Sequence, residues 1–162
     1  MLDKEIEGAL CDQVNAELAS AYLYLGMAAY FMDENLRGFA HWMRVQAKEE
    51  LGHAMKIYDF IHERSGSVAL QPVAAPKGGW KSPKAVFEAS YAHEQKVTGM
   101  INALVALVRS KKDYATEVFL QWFVNEQVEE EASALEILQQ LKLIGEQPGP
   151  LFMLNEVLGK RE

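Results

Sequence analysis

The sequence predicts an all-α protein: a four-helix bundle with one long crossover and a short fifth helix at the C-terminal end. Two observations lead to this prediction. Apolar residues recur every three or four positions along four long stretches, as on one face of a helix, and no stretch shows the alternation of a strand. All five prolines lie in two segments, 65–83 and 145–150, which therefore separate the helical stretches.

The first two helices are expected at about residues 4–32 and 35–63. No proline interrupts this part of the chain, and a turn at 33–38 separates the two apolar repeats. Asp33 or Asn35 is expected to cap the second helix. Because the turn is short, the two helices are predicted to be antiparallel neighbours.

The second pair of helices is expected at about 83–110 and 113–144, again with a short turn between them. Ser82 followed by Pro83 is typical of a helix start, since serine caps the end and proline fits the first position. The connection before this pair is about 17 residues long, enough to run the length of a bundle. A short fifth helix is expected at about 150–159.

Length and charge limit the classes of function. The 162 residues are expected to form a single domain, 1–162. The net charge of −7 argues against nucleic acid and anionic membrane surfaces as partners, whereas it is compatible with cations. The single cysteine, Cys11, forms no internal disulfide, and neither a signal peptide nor a membrane span is evident. We therefore expect a cytoplasmic protein.

Each long helix carries a glutamate in the middle of its apolar row: Glu17, Glu50, Glu94 and Glu130. Four carboxylates at one level of a bundle core repel one another and lose their hydration, so they require a positive partner. No lysine or arginine lies on these rows. Metal cations are therefore the expected partners.

The spacing of Glu50 and His53 supports a metal site. Residues three apart on a helix point the same way, so one carboxylate oxygen and one imidazole nitrogen can reach the same ion. A site rich in carboxylates with few imidazoles favours iron or manganese. A shared glutamate allows two metals to lie close together, as two-electron chemistry requires.

With these residues in place, the chain resembles the prokaryotic non-haem ferritins over essentially its whole length. The matching motifs are Asn15-Ala-Glu17-Leu18 with Tyr24, Lys48-Glu49-Glu50-Leu-Gly-His53, His93-Glu94-Gln95, and residues 119–131. The resemblance implies a ferritin-like bundle that assembles as a homo-oligomer of 24 copies. It also implies a hollow interior in which hydrated ferric oxide collects.

The resemblance implies a di-iron centre within each chain. Glu17, Glu50 and His53 are expected to hold the first iron. Glu50, Glu94 and Glu130 are expected to hold the second, with Glu50 bridging the two ions.

Five further residues receive roles from the resemblance. Gln127 is expected beside the iron pair, where it hydrogen-bonds to bound oxygen species or water, and Tyr24 is expected close to the pair. A third iron site is expected from Glu49, Glu126 and Glu129, with Glu130 shared between this site and the iron pair.

No haem is expected. Haem-binding relatives carry a second Glu-x-x-His motif on the fourth helix, where this chain has Gln127-x-x-Glu130, and a methionine where this chain has Leu51. A rubrerythrin-like iron domain requires several cysteines, and this chain has one.

The predicted function is iron storage with ferroxidase activity: oxidation of Fe(II) by O2 or H2O2, followed by storage as ferric oxide mineral. Two alternatives stay open. One is a di-iron binding protein that buffers or delivers metal without mineralising it. The other is a di-iron enzyme that consumes peroxide on the same bundle.

Overall fold

The computed structural model describes residues 2–162 and contains five α-helices, with no strand in that range. Their bounds are α1 (Lys4–Asp33), α2 (Arg37–Glu63), α3 (Pro83–Ser110), α4 (Tyr114–Ile144) and α5 (Pro148–Leu158). The predicted all-α fold is confirmed, and each helix begins and ends within about two residues of its expected position.

Two helix pairs form the bundle. α1 packs along α2 and α3 packs along α4, while α1 also contacts α3. The long crossover joins the pairs, and its Trp80 lies edge-on to Tyr30 of α1, with ring centroids 6.2 Å apart. α5 contacts α2 and α4 at one end of the bundle.

Among residues 2–162, no helix combines the length and the apolar character that a bilayer crossing requires.

The apolar core is divided into two clusters of buried residues. One contains Phe31, Phe39 and Phe87, with the rings of Phe31 and Phe39 stacked at 4.9 Å. The other contains Ile57 and Phe123, with buried residues from each of the four long helices. On each of those helices, the central glutamate falls between the residues of one cluster and those of the other. The fold therefore places an acidic layer between two apolar halves of the bundle.

The start of α3 follows the sequence prediction. The Ser82 hydroxyl accepts a hydrogen bond from the Ala85 amide at 3.1 Å, and Pro83 occupies the first helical turn. Asp113 caps α4 in the same way by accepting from the amide of Thr116.

The predicted cap of α2 is wrong. Neither Asp33 nor Asn35 caps this helix, and Asn35 instead adopts a left-handed backbone conformation with φ of 58°. The side-chain oxygen of Asn155, on α5, accepts from the amides of Gly38 at 2.8 Å and Phe39 at 3.2 Å. A Cβ at Gly38 would collide with the backbone carbonyl of Asn155, so glycine is required where α5 meets α2.

Candidate metal centre

The four long helices bring five buried ligand-type side chains together in the acidic layer. One group consists of Glu17, Glu50 and His53, and another of Glu50, Glu94 and Glu130. In each group, one ligand atom per residue lies within 4.8 Å of the others. Glu50 belongs to both groups, as a residue that bridges two ions would.

The imidazole of His53 faces carboxylates on both of its nitrogen atoms. Its Nδ1 lies 3.4 Å from Oε2 of Glu50, one helical turn away, and 4.0 Å from Oε2 of Glu17. Its Nε2 lies 3.6 Å from Oε1 of Glu126 on α4. The Glu-x-x-His spacing therefore places one nitrogen ligand among carboxylate oxygens.

Burial and mutual repulsion make the carboxyl groups weak acids. Desolvation, followed by the charge of a neighbouring glutamate, raises the pKa of Glu17, Glu50 and Glu130 to about 8 each. Burial also raises the pKa of Glu94, although hydrogen bonds from its neighbours oppose this change. Without a cation, the centre therefore retains protons at neutral pH. A bound metal ion would offset both effects, because its positive charge stabilises the ionised carboxylates.

One buried oxygen of the centre lacks a partner. Oε1 of Glu17 accepts a hydrogen bond from Nε2 of Gln13 at 2.7 Å, whereas Oε2 of Glu17 has no hydrogen-bond donor. Buried polar atoms are rarely left in this state. The unpaired oxygen belongs to the group with Glu50 and His53, so a metal ion would satisfy it. The oxygen-rich donor set with one imidazole fits iron.

Tyr24 and Gln127 both contact Glu94. The Tyr24 hydroxyl donates to Oε1 of Glu94 and lies 3.1 Å from the Ser90 hydroxyl. Nε2 of Gln127 donates to Oε2 of Glu94 at 3.2 Å and to the Thr98 hydroxyl at 3.3 Å. Both side chains therefore favour the ionised form of a carboxylate in the acidic layer.

The residues expected at a third site are not all together. Glu126 forms a group with His53 and Glu130 within 4.8 Å. Glu129 is exposed on α4, and neither Glu129 nor Glu49 belongs to any of the acid and histidine groups found among residues 2–162.

Sequence reasoning assigned no role to two residues that belong to the surroundings of the centre. Nε2 of the buried Gln46 donates to Oε1 of Glu50 at 2.9 Å and to Oε2 of Glu130 at 2.6 Å. Arg161, in the C-terminal tail, pairs with Glu49. The sequence did indicate Gln46, because it is a polar residue on the apolar row one turn before Glu50. No sequence pattern indicated Arg161, because it lies outside any periodic segment.

An open cleft between α2 and α4 reaches His53 at the edge of the centre. It has a volume of about 560 Å³, and His53 and Glu126 both line it. Its other lining residues are Glu49, Gly52, Met55, Lys56, Asp59 and Trp122. The cleft therefore brings solvent next to His53 and Glu126 at the edge of the centre.

Comparison with known proteins places this geometry in a family. The family model described as a ferritin-like domain matches residues 7–144. A bacterial non-heme ferritin of Bacteroides fragilis is 40% identical over 161 residues, covering 99% of this chain and 100% of the relative. A bacterial non-heme ferritin of Campylobacter jejuni is 40% identical over 158 residues, covering 98% of this chain and 95% of the relative. The crystal structure of an open pore ferritin from Archaeoglobus fulgidus is 51% identical, with a TM-score of 0.99 and complete coverage of both chains.

Proposed function

This chain belongs to the ferritin family, whose function is mineral storage of iron, and we propose that it oxidises ferrous iron at the buried centre before storing it. Iron is then both substrate and cargo. The observation that carries this proposal is the acidic layer: four buried glutamates and His53, grouped around Glu50, with an unpaired carboxylate oxygen on Glu17.

The proposed ligand assignment follows the two groups. Glu17, Glu50 and His53 bind one ferrous ion, and Glu50, Glu94 and Glu130 bind the other, so that Glu50 bridges them. As each ion enters, it displaces protons from carboxyl groups whose pKa is raised to about 8.

Each of the two ferrous ions supplies one electron to the oxidant. Two electrons and two protons reduce O2 to H2O2, or reduce H2O2 to two water molecules. The protein contributes the position of the two ions and an anionic ligand set, which stabilises ferric charge more than ferrous charge. Tyr24 and Gln127 hold Glu94 in place by donating hydrogen bonds to its two oxygens.

A third iron position is proposed beside the pair. Glu126 is already within reach of His53 and Glu130, which supports its role as a ligand. Glu49 lines the same cleft, and Glu129 completes the set that the family resemblance implies.

We propose that the homo-oligomer is a hollow shell of 24 copies. Exposed apolar side chains support burial against other copies: Leu143 is 86% exposed, Met153 72% and Val157 61%. All three line a groove between α4 and α5. We also propose a cytoplasmic location, where a single buried thiol such as that of Cys11 stays reduced.

The test is aerobic loading of the purified protein with a large excess of Fe(II), followed by size separation with iron and protein measured together. A mineral cage carries iron far above two ions per chain on a particle much larger than 18.2 kDa. Iron limited to about two ions per chain on a small species would contradict storage and favour a di-iron carrier or peroxidase.

A double variant tests the ferroxidase step separately. Glu50→Ala/Glu94→Ala removes two ligands, so fast Fe(II) oxidation is lost while the shell still assembles. The matched control is Glu63→Ala/Glu88→Ala, which removes two exposed glutamates from the same two helices. Native oxidation rates in the first variant would show that the centre is assigned wrongly.

A further inference from the structure

Arg161 lies three residues beyond the last residue of α5 and reaches back to α2. Its Nη2 donates to Oε1 of Gln46 at 2.8 Å and to Oε2 of Glu49 at 2.5 Å. The guanidinium lies 4.3 Å from the centroid of the Trp42 ring, and Nη1 donates to the Trp42 carbonyl. The backbone carbonyl of Arg161 also contacts Nε2 of His41 at 2.6 Å. Five contacts therefore dock a single tail residue on α2.

Arg161 is linked to the metal centre through the amide of Gln46. A glutamine amide has one oxygen, which accepts, and one nitrogen, which donates. Because Arg161 donates to the amide oxygen of Gln46, the amide nitrogen points toward Glu50 and Glu130, to which it donates at 2.9 and 2.6 Å. The tail therefore orients a buried donor between two carboxylates of the centre.

Arg161 also holds one of the carboxylates expected at the third iron position. Glu49 is paired with the guanidinium, and its side chain is 42% exposed. A half-exposed ion pair of this kind is weak, so a divalent ion can compete with it. The tail stays close even when the pair opens, since Leu154 and Leu158 are buried and anchor α5.

We propose that Arg161 competes with metal for Glu49. Its guanidinium pairs with Glu49 when no metal is bound and is displaced when a third metal ion binds that carboxylate, while α5 keeps the arginine nearby. The displacement frees the Gln46 amide at the same time, so occupation of the third position loosens a contact to Glu50 and Glu130. The identity of the natural ion rests on the proposed function, whereas the competition itself applies to any divalent cation.

The first experiment measures Co²⁺ binding to the assembled full-length protein by calorimetry without oxygen. In Arg161→Gln, the weakest Co²⁺ site is expected to tighten about fivefold, because Glu49 loses its competing charge. Lys160→Gln is the matched control, since it removes the same charge from the neighbouring, exposed position and is expected to leave that site unchanged. Adding Glu49→Gln to Arg161→Gln is expected to abolish the gain.

Equal affinities in Arg161→Gln and the unaltered protein would overturn the proposal. So would an equal gain in Lys160→Gln, which would indicate a general effect of net charge. Because no oxidation occurs in this experiment, the result is independent of ferroxidase activity. A protein that binds Co²⁺ as expected but fails to oxidise Fe(II) would contradict the proposed function alone.

A second measurement needs no variant and applies even if Arg161→Gln does not assemble. The rate at which a small dicarbonyl reagent modifies Arg161 is followed by peptide mass spectrometry as Zn²⁺ is added. The rate is expected to rise only beyond two Zn²⁺ per chain, about when the third position fills. A rate that is constant across the whole titration would overturn the proposal.

Discussion

Tyr24 donates a hydrogen bond to Oε1 of Glu94 across the interface between α1 and α3, and each of the two residues is 1% exposed. Burial raises the pKa of Glu94, and the hydrogen bonds from Tyr24 and Gln127 lower it. The phenol therefore helps to keep this carboxylate ionised and ready to bind a cation.

Removing that hydroxyl is expected to weaken metal binding at the proposed second position. In Tyr24→Phe the pKa of Glu94 rises further, so an entering ion must displace a proton more often. Anaerobic Co²⁺ affinity at neutral pH is expected to fall by up to about tenfold, the equivalent of one pKa unit. Tyr22→Phe, on the exposed side of α1, is the control and should bind like the unaltered protein. An unchanged affinity in Tyr24→Phe would show that the hydrogen bond does not control ionisation.

Metal binding is expected to release protons. The pKa of each of Glu17, Glu50 and Glu130 is raised to about 8, so these groups hold protons at neutral pH and lose them when a cation enters. Calorimetry of Zn²⁺ binding in buffers of different ionisation enthalpy should give more than about one proton released per chain at pH 7. The number of protons released should fall toward zero when the pH is about one unit above these pKa values. Binding without proton release would contradict the raised pKa values.

The stability of the metal-free protein is expected to decrease with rising pH. The three carboxyl groups have a pKa of about 8 when folded, against an ordinary value of 4.5, so the folded chain binds more protons than the unfolded chain between these values. The free energy of unfolding therefore falls as pH rises through that window. Thermal midpoints of the apo-protein from about pH 5 to about pH 8 measure this slope. Glu50→Gln/Glu130→Gln should flatten it, and a midpoint that increases with pH would refute the expectation.

Asn155 is expected to control the local stability of the α2–α5 contact. Asn155→Ala removes the acceptor for the amides of Gly38 and Phe39, and loss of such a cap costs about 1 to 2 kcal/mol. Hydrogen exchange should therefore accelerate at the start of α2 and in α5, but not in α3. Asn155→Asp keeps the acceptor and is expected to retain protection. Equal exchange in Asn155→Ala and the unaltered protein would contradict a capping role.

Much of the fold and of the candidate centre was predictable because it depends on local spacing. The helical repeat located five helices, and the Ser82–Pro83 pair located the start of α3. Glutamates on four apolar rows indicated a buried acidic layer, and the three-residue spacing of Glu50 and His53 placed both side chains on one face. Each of these features involves residues within one or two helical turns of each other, so it can be recognised in the sequence without knowledge of the packing.

The helices, the glutamates on their apolar rows and the side chains able to bind a metal can be identified from the sequence, since they depend on residue type and on spacing within each helix. Two other contacts appear only when the helices are packed: Asn155 caps α2 although it lies 117 residues from Gly38, and Arg161 reaches Gln46 from 115 residues away. The tertiary structure also decided that Glu126 turns toward His53 while Glu129 remains exposed. These contacts depend on how α5 and α4 pack against α2, and that packing is a property of the assembled core rather than of any local segment.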